Sequence, residues 1–185
     1  MPAIRPLYDA HGVDGYYRDH AGAYQNPHFS EIRLLLERHI PRLDTAGGVL
    51  DFAAGGGEAT QVLQGLGIRL ITGCDPYTHA LYRERTGLPC LELSFKDVIR
   101  RGLPGTYSLV ICSFALHLCP GKDLFSLCQS LLQAAPLLLV LTPHKRPELE
   151  TPGAFELLWE DFALTAKGKK VRCKAYGLQE SLRML

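Results

Sequence analysis

Apolar residues fall along this chain in short runs that alternate with helical stripes. Val49 to Phe52, Arg69 to Cys74, Cys90 to Leu93, Tyr107 to Ser113 and Leu137 to Leu141 read as five strands, the third of them short. Between them Val62 and Leu63 lie before Gly65, a segment follows from Thr78 to Arg85, and Leu124, Leu127, Cys128 and Leu131 mark one face of a helix. Strand and helix alternating in this way predict a parallel sheet with crossover helices. Ahead of the first strand, Ser30 is placed to cap a helix whose apolar positions Ile32, Leu35, Leu36 and Ile40 repeat at helical spacing and which Pro41 stops. Behind the fifth, Thr151-Pro152 predicts an N-cap and first turn opening a short helix through Phe155, Leu158 and Trp159. Phe162, Leu164 and Ala166, the turn Lys167-Gly168, and Val171, Cys173 and Ala175 then predict a hairpin.

A length of 185 residues with 46% hydrophobic and 21% charged positions fits one globular domain with a substantial core. Neither an internal repeat nor a low-complexity linker divides it. Twenty basic and nineteen acidic residues leave a formal charge of +1, so no global field directs the chain to nucleic acid or membrane. The apolar run at Leu137–Leu141 lies between Pro136 and Pro143 and reads as a buried strand, too short to cross a bilayer. The N-terminal stretch carries Asp9, Asp14 and Asp19 without an apolar signal core, and the expected location is cytoplasmic. Six scattered cysteines without a Cys-x-x-Cys pair predict buried reduced thiols and no metal site.

Candidate chemistry concentrates at Val49-Leu50-Asp51-Phe52-Ala53-Ala54-Gly55-Gly56-Gly57-Glu58-Ala59-Thr60, a strand, a glycine turn and the opening of a helix. Such a turn lets a ligand lie directly against the main chain, beside the free amides of the following helix. A dinucleotide fingerprint counted from Gly55 puts Thr60 where Gly or Ala belongs, and a phosphate loop needs Gly-Lys-Ser/Thr, where this chain has Gly57-Glu58-Ala59. An anionic Glu58 beside the amides also disfavours phosphate.

The arrangement Asp51-x-x-x-Gly55-x-Gly57 resembles motif I of the class I S-adenosylmethionine-dependent methyltransferases. The resemblance covers roughly Gly47 to the C-terminus. It implies a doubly wound, seven-stranded, mostly parallel α/β sheet ending in a C-terminal antiparallel hairpin, with a helical lead-in over residues 1–45 and a Rossmann-like core over 47–185. Asp75 matches the family's acidic residue for the ribose, about 20 residues past the glycine turn; as a residue it also reads as a helix N-cap. Ser94, Phe95 or Asp97 falls where the family holds adenine, although the acid expected there is displaced. Ser113-Phe114-Ala115-Leu116-His117 resembles motif IV of the small-molecule-type enzymes and lacks the Asn-Pro-Pro-Tyr/Phe signature of certain amide and adenine amino methylases.

The cofactor set implied is Asp51, Ala53, Gly55, Gly57, Asp75, Pro76, Ser94, Phe95, Ser113 and Tyr24, with S-adenosyl-L-methionine as the cofactor. His117 is the catalytic candidate, to orient an acceptor or take its proton, against a plain structural histidine at a helix start. The lead-in, rich in Tyr8, Tyr16, Tyr17 and Tyr24, reads either as a lid over the cofactor or as an aromatic anchor to the core. Thr142 to Pro147 is the expected acceptor-side loop. A small-molecule acceptor is expected. RNA or a protein target reached through Lys167, Lys169, Lys170, Arg172 and Lys174 is an alternative, although lysines on an edge hairpin also guard against strand pairing. A non-catalytic partner subunit that keeps the ligand, and a dinucleotide oxidoreductase, are the rivals from other classes.

Overall fold

A computed structural model of the chain describes residues 26–143, 149 and 154–179. They form α1 (Phe29–His39), a 3-10 turn (Ile40–Arg42), β1 (Val49–Phe52), α2 (Glu58–Gly65), β2 (Ile71–Cys74), α3 (His79–Thr86), β3 (Cys90–Leu91), α4 (Phe95–Arg101), β4 (Leu109–Ser113), a second 3-10 turn (Leu116–Leu118), α5 (Gly121–Ala134), β5 (Leu138–Thr142), β6 (Phe155–Leu164) and β7 (Lys170–Leu178). The seven strands make one sheet in the order β3-β2-β1-β4-β5-β7-β6. β1 pairs in parallel with both β2 and β4, and β7 enters antiparallel between β5 and β6. The strand order therefore reverses beside β1, the point at which doubly wound sheets open a ligand crevice beyond their carboxyl ends.

Strand alternation sends successive side chains to opposite faces, and each face meets its own helices. Leu50, Phe52, Val110, Cys112, Leu138 and Val140 pack with Val98 of α4 and Leu127, Cys128 and Leu131 of α5. Val49, Leu109, Ile111, Leu139 and Leu141 pack with Ile32, Leu35 and Leu36 of α1 and Val62 and Leu63 of α2. Because β1 to β5 are covered on both sides, they read in the sequence as continuous apolar runs.

The expected five parallel strands and the hairpin are present, with three corrections to the local reading. First, α1 begins at Phe29 with His28 as an N-cap that makes no side-chain cap bond, and Ser30 instead donates to Glu31. Second, Phe155, Leu158 and Trp159 belong to the ten-residue strand β6, where a helix was expected. The register against β7 slips between Leu157 and Trp159, so an extra residue breaks the alternation and counterfeits an i, i+3, i+4 spacing. Third, Phe95–Arg101 is a helix, started by a capping box between Ser94 and Asp97. The expected cap at Thr151-Pro152 lies outside the described residues, as does the aromatic lead-in before Asn26.

The far end of the sheet is tied to α1 by Asp161 of β6. It accepts from Arg38 Nη1 at 2.6 Å and lies 2.9 Å from His39 Nε2, while the His39 ring stacks on Trp159 at 4.4 Å. These contacts hold the carboxyl of Asp161 down at about 2, against the opposing effect of its partial burial. All six cysteines are free and buried, and burial pushes the thiols of Cys74, Cys90, Cys128 and Cys173 up to about 12, which leaves them protonated and inert. No helix among the described residues is long and apolar enough to cross a membrane.

Candidate active site

Beyond the carboxyl ends of β1 to β4 lies a cavity of about 340 Å³. Each strand tip supplies part of its wall: Ala53 and Gly55 after β1, Asp75, Pro76 and Tyr77 after β2, Ser94 and Phe95 after β3, and Ser113, Phe114 and Ala115 after β4. Lys96 and Ile99 of α4 and Leu118, Pro120 and Asp123 before and on α5 complete the lining. Ala53 (φ 55°) and Phe114 (φ 58°) are the non-glycine residues with positive φ among those described, and both line this cavity. Left-handed backbone at non-glycine positions costs about 1–2 kcal/mol per residue, and such strain concentrates where function fixes the chain.

The glycine turn is built from the residues around it. Alternation along β1 points Asp51 toward α2, on the same side as Val49, and its carboxylate is fully buried. Asp51 Oδ2 accepts from the Thr60 amide at 3.1 Å and from Thr60 Oγ1 at 2.7 Å, and Thr60 Oγ1 continues to Tyr82 OH at 2.9 Å. Desolvation raises the Asp51 carboxyl to about 7, the hydrogen bonds from Thr60 opposing it and the charge of Glu58 adding to it. Asp51 thus anchors the turn from beneath and does not line the cavity. Gly57 is likewise buried beneath it: φ is 85°, and a Cβ there would lie 2.6 Å from Thr86 Cγ2 and 3.2 Å from Tyr82 Cδ2. Gly73 on β2 gives Tyr82 the same clearance, since an added Cβ would stand 2.5 Å from Cζ of that ring.

Gly55 faces the cavity and donates its amide to Asp75 Oδ2 at 3.1 Å, while Asp75 Oδ1 accepts from the amides of Tyr77 and Thr78, each at 2.9 Å. The N-cap of α3 is Thr78, which makes no side-chain cap bond, so Asp75 is not the cap that was expected: it closes the turn ahead of the helix, and it lines the cavity. Three of the roughly four acceptor positions of a carboxylate are taken by backbone, and the remaining one is available to the cavity that Asp75 lines.

Two residues that were not singled out as ligands brace the glycine turn. Glu58 at the start of α2 is buried, accepts from the Asn26 amide at 2.9 Å and stands 3.9 Å from Arg85 Nη1. Gly56 leaves the space that this arginine crosses, since an added Cβ would lie 2.2 Å from Arg85 Nη1. The segment before α1 is also held at the tip of β4, where His28 stacks on Phe114 with ring centroids 4.9 Å apart. An acid one residue past a glycine turn, followed by an arginine one helix later, was the signal available in the sequence.

Of the expected cofactor residues, the structure gathers Ala53, Gly55, Asp75, Pro76, Ser94, Phe95 and Ser113 around one cavity. Asp51 and Gly57 sit behind it, and Tyr24 lies outside the described residues. His117 is exposed on the 3-10 turn after β4 and is not part of the cavity wall. Residues 144–148 of the expected acceptor loop are also outside the described residues. Three of the five cations on the hairpin are engaged within the fold: Arg172 pairs with Glu160, Lys170 Nζ lies 3.8 Å above the Phe162 ring, and Lys174 is buried. No group of three metal-ligating side chains occurs among the described residues.

A seven-stranded sheet of this order, with its cavity at the β1/β4 reversal, defines the class I S-adenosylmethionine-dependent methyltransferase fold. Solved structures share it. Magnesium protoporphyrin IX methyltransferase from Synechocystis PCC 6803, with bound S-adenosylhomocysteine, matches 95% of this chain and 98% of its own, at a TM-score of 0.61 and 13% identity. N-methyltransferase NodS from Bradyrhizobium japonicum WM9, also with S-adenosylhomocysteine, matches 95% and 97% at 0.61 and 11%. A protein solved in work on the conversion of a disulfide bond into a thioacetal group during echinomycin biosynthesis matches 92% and 96% at 0.66 and 16%. No protein-family model matches the chain. The chain belongs to the family of uncharacterized protein C17A5.05c of Schizosaccharomyces pombe, with which it is 38% identical over 186 residues, covering 76% of this chain and 75% of the yeast protein.

Proposed function

We propose that the chain is an S-adenosylmethionine-dependent methyltransferase acting on a small-molecule acceptor. The observation that carries this reading is one cavity lined by the glycine turn after β1, a backbone-oriented carboxylate after β2 and an apolar ring after β3, tips that neighbour one another in the sheet as an amino acid, a ribose and a base require. The donor set fits the cofactor. Gly55 leaves backbone open to the methionine part, and Asp75 offers its remaining acceptor position to a ribose hydroxyl. Phe95, Ile99 and Leu118 present apolar surface to a flat base. A pyrophosphate at the glycine turn would meet the Asp75 carboxylate, and the cation recorded beside that turn among the described residues, Arg85, already lies beside Glu58.

When bound, the cofactor supplies a methyl activated by its positive sulfur. The chain's own contribution is alignment and exclusion of water. Asp51 fixes the turn through Thr60, Asp75 locks the tips of β1 and β2 together, and the strained backbone at Ala53 and Phe114 shapes the wall between them. His117, just beyond the cavity wall, is assigned to the acceptor side. A small acceptor is favoured by the solved structures that share the fold, one of which is a porphyrin methyltransferase by its name, and by the engagement of Arg172 and Lys174 of the hairpin within the fold.

Calorimetric titration with S-adenosylmethionine, S-adenosylhomocysteine and NADH tests the reading. Micromolar binding of the first two and none of NADH is expected. Failure of both sulfur ligands to bind would overturn it, and binding without methyl transfer to any acceptor would favour a non-catalytic partner subunit.

A further inference from the structure

The base end of the cavity is an apolar slot. Phe95 and Ile99 of α4 and Leu118 and Pro120 ahead of α5 line it together. A slot of this kind holds a flat heteroaromatic ring by dispersion and leaves its identity to a polar group at the ring edge. The acid nearest in sequence, Asp97, is committed elsewhere: its Oδ2 accepts from the Ser94 amide at 3.0 Å and from Ser94 Oγ at 2.5 Å, and it is not part of the cavity wall. Ser94 Oγ in turn accepts from the Asp97 amide at 3.2 Å, so Asp97 is turned into the capping box that starts α4. Asp75 is held by three amides at the other end of the cavity.

Asp123 is in the opposite situation. It stands in the first turn of α5 and lines the slot, half-buried. An acid at this helical position ordinarily reaches back to the amide of the N-cap residue, but the N-cap here is Pro120, which has no N–H to offer. The helix has no side-chain cap, and the Asp123 carboxylate has no hydrogen bond or ion pair to another described residue. Lys96, the other charged side chain at this end, only donates and cannot accept from an amino group.

We infer that Asp123 is the specificity-determining residue for the base: its carboxylate accepts a hydrogen bond from the exocyclic amino group of adenine, so that recognition comes from α5 and not from the segment after β3. This assignment rests on the cofactor reading above. It names a chemical requirement: a purine with a donor at its 6 position is accepted, and one with a 6-oxo group puts oxygen against the carboxylate and is rejected.

The test is calorimetric titration of the full chain with S-adenosylhomocysteine and with its deaminated analogue S-inosylhomocysteine. The unaltered chain should bind the amino form at least about tenfold more tightly, the scale of a charge-assisted hydrogen bond. Asp123→Asn, which can present either an amide oxygen or an amide donor, should bind both within about threefold of each other, and Asp123→Ala should also lose the preference. Asp97→Asn, which weakens the α4 cap, should keep it. A preference that survives in both Asp123 variants, or that disappears in Asp97→Asn, overturns the assignment while leaving the cofactor reading standing. If the unaltered chain binds neither ligand, the cofactor reading falls and the assignment with it. Half-burial at the cavity rim makes folding of both Asp123 variants the expectation, and circular dichroism checks it.

Discussion

The amide of Gly55 donates to Asp75 Oδ2 across 3.1 Å, so the glycine turn after β1 and the carboxylate after β2 form one hydrogen-bonded unit. Removing the carboxylate leaves three backbone amides at the cavity wall without their partner. Asp75→Ala should weaken S-adenosylhomocysteine binding by tenfold or more, the result of losing about 1.5–3 kcal/mol of hydrogen bonding to a charged group. The melting temperature should fall in the same variant. Calorimetry and thermal denaturation read the two effects separately, and an unchanged dissociation constant would take Asp75 out of the site.

Asp51 makes stability depend on pH in an unusual direction for an acid. Its carboxyl is raised by desolvation to about 7 in the folded chain, above its value in the unfolded chain. The folded state therefore holds the proton more tightly, and the associated stability is complete below about pH 4 and is lost as pH rises through about 7. Asp51→Asn keeps an oxygen for the Thr60 donors and has no charge to bury. The variant should gain on the unaltered chain between pH 5 and pH 8 by on the order of a few kcal/mol. Urea unfolding of both proteins across this range measures the difference, and a gap that does not change with pH contradicts the buried-carboxyl account.

Gly57 is a packing glycine as much as a turn glycine. Gly57→Ala forces a side chain into positive φ and within 2.6 Å of Thr86 Cγ2, so it should cost about 2 kcal/mol or more through the conformation alone and the displacement of α3. Gly67→Ala is the useful comparison, since φ there is 84° but nothing lies within 4 Å of the added carbon. Chemical denaturation should rank Gly57→Ala as the more damaging of the two, and equal losses would show that the contact with α3 contributes nothing.

His117 lies outside the cavity wall, so its replacement separates cofactor binding from acceptor chemistry. His117→Ala should leave S-adenosylhomocysteine affinity within about twofold. Once an acceptor is in hand, an acceptor-side role predicts a fall in kcat of about 10²-fold or more, the scale of general acid–base assistance. An unaltered kcat assigns His117 to structure.

Much of the fold was legible because buried parallel strands advertise themselves. Val49–Phe52, Leu109–Ser113 and Leu138–Thr142 are buried on both faces and, apart from Asp51, Ser113 and Thr142, are apolar throughout. Asp75 was legible by its place at a strand tip, although the cap read from it belongs to Thr78 and the carboxylate instead closes the turn before α3. The misread elements have local causes. The bulge at Leu157/Trp159 disguised a strand, and the short helix Phe95–Arg101 has Val98 as its buried residue, too little for a helical stripe.

The site divides along the same line. Sequence alone determined the strand-helix alternation, the position of the glycine turn and the residue types at the strand tips, since these follow from period, conformational freedom and chain order. Tertiary structure decided which of those residues face a ligand. Asp51 points into the protein because period-two alternation sets it on the α2 face of β1, and Gly57 is consumed by the ring of Tyr82 from a helix 25 positions later. Asp123 enters the cavity because α5 begins beside the tip of β4, and its carboxylate stays uncommitted because Pro120 ahead of it has no amide to give. Such facts depend on distances between elements far apart in the chain, and no local pattern encodes them.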